Sequence, residues 1–148
     1  AISGSSLADT ASVGSVLTPA GLDKSVGLVT VQYYKDANDP QWKDDPAMLE
    51  WRAFMGRYYR DGNVNDASNV YGYLAAQTMV QVLKQCGDDL TRENLMRQAA
   101  NLKGAKFSML LPGITMSTGP SDFSPVEQAQ LAKFDGKQWV LFGDVIGK

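Results

Sequence analysis

The sequence predicts an α/β protein, because strand-like and helix-like segments alternate along its 148 residues. Residues 26–34 are rich in β-branched and aromatic side chains, as strands are. The segments that follow them repeat apolar residues at three- and four-residue spacing, which is typical of helices. A hydrophobic content of 44% is sufficient for a packed core. The three observations together favour a folded α/β chain.

The amino-terminal quarter contains two predicted strands and a short helix. Residues 2–7 form the end of a strand that leads into a loop of small residues. A short helix is predicted over residues 11–17. Pro19 and Gly21 are expected to end it, because proline lacks an amide donor and glycine favours a left-handed cap. Residues 26–34 alternate only partly between apolar and polar, which indicates a strand buried on both faces, as in a parallel sheet.

Three helices are predicted in the middle of the chain. The first begins at Asp45, because Asp caps free amides and the proline that follows is tolerated in the first helical position. Residues 70–83 are apolar around most of the circumference, which predicts a helix buried on several sides and ended by Gly87. Thr91 predicts the cap of the third helix. The inward-facing residues expected on the first and third helices are Met48, Trp51, Met55, Tyr58, Leu95, Ala99 and Leu102.

A β-hairpin is predicted at the carboxyl end. Asp135-Gly136 suits the two central positions of a type I′ turn, both of which need a positive φ. Residues 130–134 and 137–142 then pair as antiparallel strands, with Trp139 and Leu141 among the side chains available for packing.

Composition excludes several classes of function. The formal net charge of −2 gives no electrostatic attraction to nucleic acid. The sequence contains no histidine, which removes Ser-His-Asp and Cys-His catalysis and most zinc sites. Cys86 is the only cysteine and has no basic neighbour that would activate it as a nucleophile. We therefore expect no catalytic residues, no cofactor and no bound metal, and a protein that is not an enzyme.

Three further patterns were weighed as sites. Residues 61–66 alternate oxygen donors as a calcium loop does, but the glycine is misplaced and Gly72 stands where the loop needs a glutamate, which favours a solvated turn. The paired tyrosines at 33–34, 58–59 and 71/73 either line a cleft or belong to the core, and their spacing favours the core. Asp9 follows a loop at the carboxyl end of a predicted strand, where open α/β sheets bind ligands, and is the sharpest candidate.

Two segments resemble a known family. Asn69-Val70-Tyr71-Gly72-Tyr73-Leu74-Ala75-Ala76-Gln77 opens the long apolar helix, and Phe134-Asp135-Gly136-Lys137-Gln138-Trp139 forms the final hairpin. With the short charged helix between them, they resemble the closing portion of leucine/isoleucine/valine-binding-type solute-binding proteins, which are type I periplasmic binding proteins of ABC importers. The resemblance implies part of a two-lobed fold with Rossmann-like lobes and a C-terminal hairpin. It assigns residues 1–34 and 126–148 to the second lobe and the helical residues 35–125 to the first.

The resemblance also implies a ligand site and a partner. Counted back from Pro19-Ala20-Gly21, Asp9 falls where branched-chain amino-acid binders carry a glutamate that faces the ammonium of the ligand. Ser6 and Thr10 are grouped with Asp9 as ligand-binding residues. Many relatives lack this acid, so the expected ligand is an amino acid or a small organic or aromatic acid. The expected location is periplasmic or extracytoplasmic, and the expected partner is an ABC permease in the membrane. A ligand-sensing regulatory domain of the same fold is the alternative.

Proteins of this family are usually more than twice as long as this chain, which therefore resembles their C-terminal portion. Its apolar helices would then lack the first-lobe sheet on which they normally pack. Because large exposed apolar patches are rare on soluble monomers, we expect the fragment to self-associate or to repack its helices against the hairpin.

Overall fold

The computed structural model describes residues 16–147, which form a mixed α/β fold with a small antiparallel sheet. The predicted strand at residues 2–7 and most of the predicted helix at 11–17 lie outside these residues. No helix in the described part of the chain combines the length and the apolar character needed to cross a membrane. The elements are, in chain order, α1 (Thr18–Ala20), α2 (Leu22–Ser25), β1 (Val29–Gln32), a 3-10 turn (Pro40–Trp42), α3 (Pro46–Tyr58), α4 (Ala67–Cys86), α5 (Arg92–Ala99), β2 (Gln128–Phe134) and β3 (Trp139–Gly147).

Helical structure continues past the point where the sequence predicted its end. Pro19 lies within α1, because a proline in the first helical turn costs no hydrogen bond. Gly21, with φ of 97°, separates α1 from α2. The expectation that Pro19 stops the helix is wrong, whereas the break at Gly21 is confirmed.

The sheet has the order β1-β2-β3, and both pairs of neighbours are antiparallel. The expected parallel strand buried on both faces is therefore wrong. Burial alternates along β1, where Thr30 and Gln32 are buried and Val29 is exposed. β1 pairs with a strand of the C-terminal hairpin rather than with a strand reached by a helical crossover, so it has an antiparallel partner and one buried face.

The two faces of the sheet differ in what covers them. The inner face packs on Leu17, and the rings of Phe134 and Trp139 lie there with centroids 5.5 Å apart. The outer face is formed by residues that alternate with the buried ones along each strand. Its members are Val29, Val31, Leu131, Lys133, Val140 and Phe142.

The hairpin is confirmed in position but not in turn type. Phe134 pairs with Trp139, so the connection has four residues rather than two. None of the described residues other than glycine has a positive φ, which excludes a type I′ turn at Asp135. The Asp135 carboxylate instead accepts the N–H groups of Lys137 and Gln138 at 2.8 and 2.9 Å. An Asp side chain that satisfies backbone donors in this way favours a longer loop over the tight turn.

α3 begins where the sequence predicted, since the Asp45 carboxylate accepts the N–H of Met48 at 3.0 Å. Met48, Trp51 and Met55 are buried. Tyr58 is 65% exposed, because the helix ends there, so including it in the buried stripe was wrong.

α4 is longer than predicted, and it is buried along one side rather than on several. Val70, Leu74 and Val82 face the core, whereas Tyr71 and Met79 are about half exposed. Gly87 ends the helix as expected, with φ of 59°.

α5 is capped as predicted by Thr91, whose hydroxyl accepts the N–H of Asn94 at 3.3 Å. The loop after the helix buries Leu102 against α4, together with the half-buried Leu95 and Ala99. The predicted inner face is confirmed for Leu95 and Ala99, whereas placing Leu102 on the helix was wrong, because the helix ends at Ala99.

Candidate functional site

The ligand-binding residues predicted from the sequence, Ser6, Asp9 and Thr10, lie outside the described residues. The described part of the chain contains two concave regions that border the sheet, one apolar and one polar. Their lining residues come from segments far apart in the sequence, so neither region was predicted.

The apolar region is a groove between the outer face of the sheet and α4, with a volume of about 770 Å³. This sheet–helix groove lies beside the outer face, because Val31 belongs to both. It is wide enough for a small molecule, since ligand pockets typically measure 300–1,000 Å³. The sheet contributes Val31, Ala129 and Ile146, and α4 contributes Tyr71, Ala75 and Thr78.

The polar groups of the groove are mainly hydroxyls. Tyr33 lies at its base, and burial together with the nearby Tyr71 raises the pKa of the Tyr33 phenol. Tyr33 therefore stays neutral and can only donate or accept a hydrogen bond. Among the described residues that line the groove there is no Lys or Arg, but there is one carboxylate, that of Glu127. A carboxylate ligand would find no cation here, so the groove suits apolar contact better than an amino or organic acid.

The polar region is a small pocket beside the hairpin loop, with a volume of about 160 Å³. Gln32 and Asp36 are buried in its wall, and Lys137 stands at its rim. The backbone N–H and the side-chain amide of Asn38 both donate to Asp36 Oδ1, at 2.9 and 3.3 Å. The pocket is smaller than typical ligand sites. Its amide and carboxylate groups order the turn after β1.

A charged pair lies next to this turn. Lys35, which is 8% exposed at its side chain, donates to Asp45 Oδ1 at 2.8 Å, and its Nζ lies 5.2 Å from the centre of the Trp42 ring. Burial tends to raise the pKa of Asp45, but the hydrogen bonds from Lys35 and from the N–H of Met48 bring it below its usual value. The ion pair between Lys35 and Asp45 links the start of α3 to the segment after β1. The sequence predicted Asp45 as a cap but not Lys35 as its partner.

No three Asp, Glu, His or Cys side chains within residues 16–147 gather closely enough to hold a metal ion. In the loop weighed as a calcium site, Asn63 Oδ1 accepts the N–H of Asn65 and Asp66 Oδ1 accepts that of Ser68, both at 2.9 Å. These groups hold a turn and cap α4. Cys86 is buried at the end of the same helix.

Comparison with known proteins identifies the kind of protein. A family model described as "Periplasmic binding protein" matches residues 4–138. One similar solved structure is a branched-chain amino acid ABC transporter from Thermus thermophilus with bound valine, at 17% identity and a TM-score of 0.65. The match covers 90% of this chain and 36% of that one, so this chain spans about a third of its length. No curated protein is similar enough to count as a match.

These comparisons confirm the fold class and the family that the sequence resembled. The α/β arrangement corresponds to part of a two-lobed type I periplasmic binding protein. Both the matched family and the matched structure are binding or transport proteins rather than enzymes. At 17% identity the structural match establishes the fold of this chain but not the identity of its ligand.

Proposed function

The chain belongs to the periplasmic binding protein family, and from this premise we propose that it acts as the solute-binding component of an ABC importer outside the cytoplasm. The observation that carries the proposal is the family match over residues 4–138, which spans the proposed ligand contacts, the described helices and the first strand of the hairpin. The partner is an ABC permease, and the ligand is an amino acid or a small organic or aromatic acid.

The proposed mechanism is ligand-dependent closure of two lobes. A solute that contacts both lobes stabilises the closed state by its differential affinity, and the closed form is the one that docks on the permease. This chain would contribute the sheet of the second lobe and helices of the first.

The proposed lobe assignment places residues 1–34 and 126–148 in the second lobe and residues 35–125 in the first. The ladder of β1 with β2 supports it, since the two strands come from opposite ends of the chain and form one sheet. Leu17 adds to this support, because it is buried in the same cluster as Ala132, Phe134 and Trp139. The helices α3 and α4 pack in a separate cluster around Trp51.

The proposed ligand contacts are Asp9, Ser6 and Thr10. A carboxylate suits the ammonium of an amino acid, because a charge-assisted hydrogen bond in a closed cleft is strong and rejects ligands without the amine.

Titration calorimetry on the complete polypeptide that carries this chain tests the proposal. We expect Asp9→Asn to weaken the binding of leucine or valine by about 2–5 kcal/mol, the scale for breaking a buried charge pair. The matched control is Asp23→Asn, an exposed aspartate on α2 that should leave the affinity unchanged. An unchanged affinity for Asp9→Asn, or a best ligand without an amine, rejects the assigned role of Asp9.

A second measurement separates the importer from a ligand-sensing regulatory domain of the same fold. Vesicles that contain an ABC permease for the same solute should take up that solute only when the binding protein is added. Tight solute binding without any such uptake would favour the regulatory domain. Absence of binding to every amino acid and small acid tested would contradict both.

A further inference from the structure

We draw no further inference here: the strongest candidate, the sheet–helix groove together with the apolar outer face beside it, carries none, because this chain spans about a third of the length of the matched structure and nothing among residues 16–147 shows what covers that surface.

Discussion

Asp45 combines two roles that can be separated by substitution. Its carboxylate caps α3 and forms the ion pair with the buried Lys35. Asp45→Asn keeps a capping side chain but removes the charge, so we expect it to lower the free energy of unfolding by about 1 kcal/mol. Asp45→Ala removes both contacts and should cost about 2 kcal/mol, less than a fully buried pair because Asp45 is 21% exposed at its side chain.

Urea denaturation measures both values. The control is Asp39→Asn at the 3-10 turn, where the cap is retained and Asp39 is half-buried without an ion pair among the described contacts, and a change within about 0.5 kcal/mol is expected there. Equal losses for Asp45→Asn and Asp45→Ala would show that the charge, and not the cap, carries the whole contribution.

The same residue predicts a pH dependence. The pKa of Asp45 is lowered in the folded state. Its contribution to the free energy of unfolding is therefore fully present at pH values above the unfolded-state pKa of about 3.9, and it is lost as the pH falls through the folded-state pKa. The difference in unfolding free energy between wild type and Asp45→Asn should therefore shrink from about pH 5 downward. A difference that stays constant or grows in acid would contradict the ion pair. Asp89 and Asp135, whose pKa values are also lowered, are present in both proteins and cancel.

The residue scale shows which parts of the structure a sequence can predict. The caps at Asp45 and Thr91 were predicted, because a cap and its amide lie within three residues of each other. The bond between Lys35 and Asp45 was not, since it depends on the path of the 3-10 turn between them. Tyr33 and Tyr71 line the groove, although their spacing favoured the core, because the groove joins segments far apart in the sequence.

At the scale of elements, Gly136 is a constrained position of the hairpin loop. Its φ is 105°, and a Cβ there would lie 3.2 Å from Val26 Cγ2. We expect Gly136→Ala to lower the free energy of unfolding by about 1–2 kcal/mol, the cost of a side chain in the left-handed region. Thermal denaturation checks this against Gly56→Ala in α3, where a Cβ meets nothing within 4 Å.

Gly56→Ala should stabilise the protein by about 0.5–1 kcal/mol, because alanine is the better helix former. If both substitutions stabilise, the hairpin loop adopts a different backbone from the one described.

The sheet shows where prediction from element type fails. The apolar character of residues 26–34 correctly predicted a strand, but the same pattern fits a parallel strand and an antiparallel strand with an apolar outer face. The choice between the two depends on pairing with β2, which lies about a hundred residues later in the chain. A local sequence pattern contains no information about that pairing. The prediction of a type I′ turn was wrong for a local reason. The Asp135 side chain accepts the backbone N–H groups of Lys137 and Gln138, which in a two-residue turn would be available to the opposite strand.

At the scale of the whole molecule, the described core has two main parts. One is built on α3 and α4 around Trp51, and the other lies on the inner face of the sheet around Phe134. Leu141 on β3 packs against both.

Leu141 should therefore couple the unfolding of the two clusters. In the wild type we expect the helix signal in circular dichroism and the fluorescence of the tryptophans to follow one denaturation curve, as in two-state unfolding. Leu141→Ala removes contacts on both sides and should cost about 2 kcal/mol, and we expect an early phase in the fluorescence curve from Trp139 in the smaller cluster, while Trp42 and Trp51 in the larger cluster follow the helix signal. Leu131→Ala on the outer face is the matched control and should shift both curves together. Coincident curves for Leu141→Ala would mean that the clusters unfold as one unit without this leucine, and the coupling would then have to run through the backbone of β1 and the segment that joins it to α3.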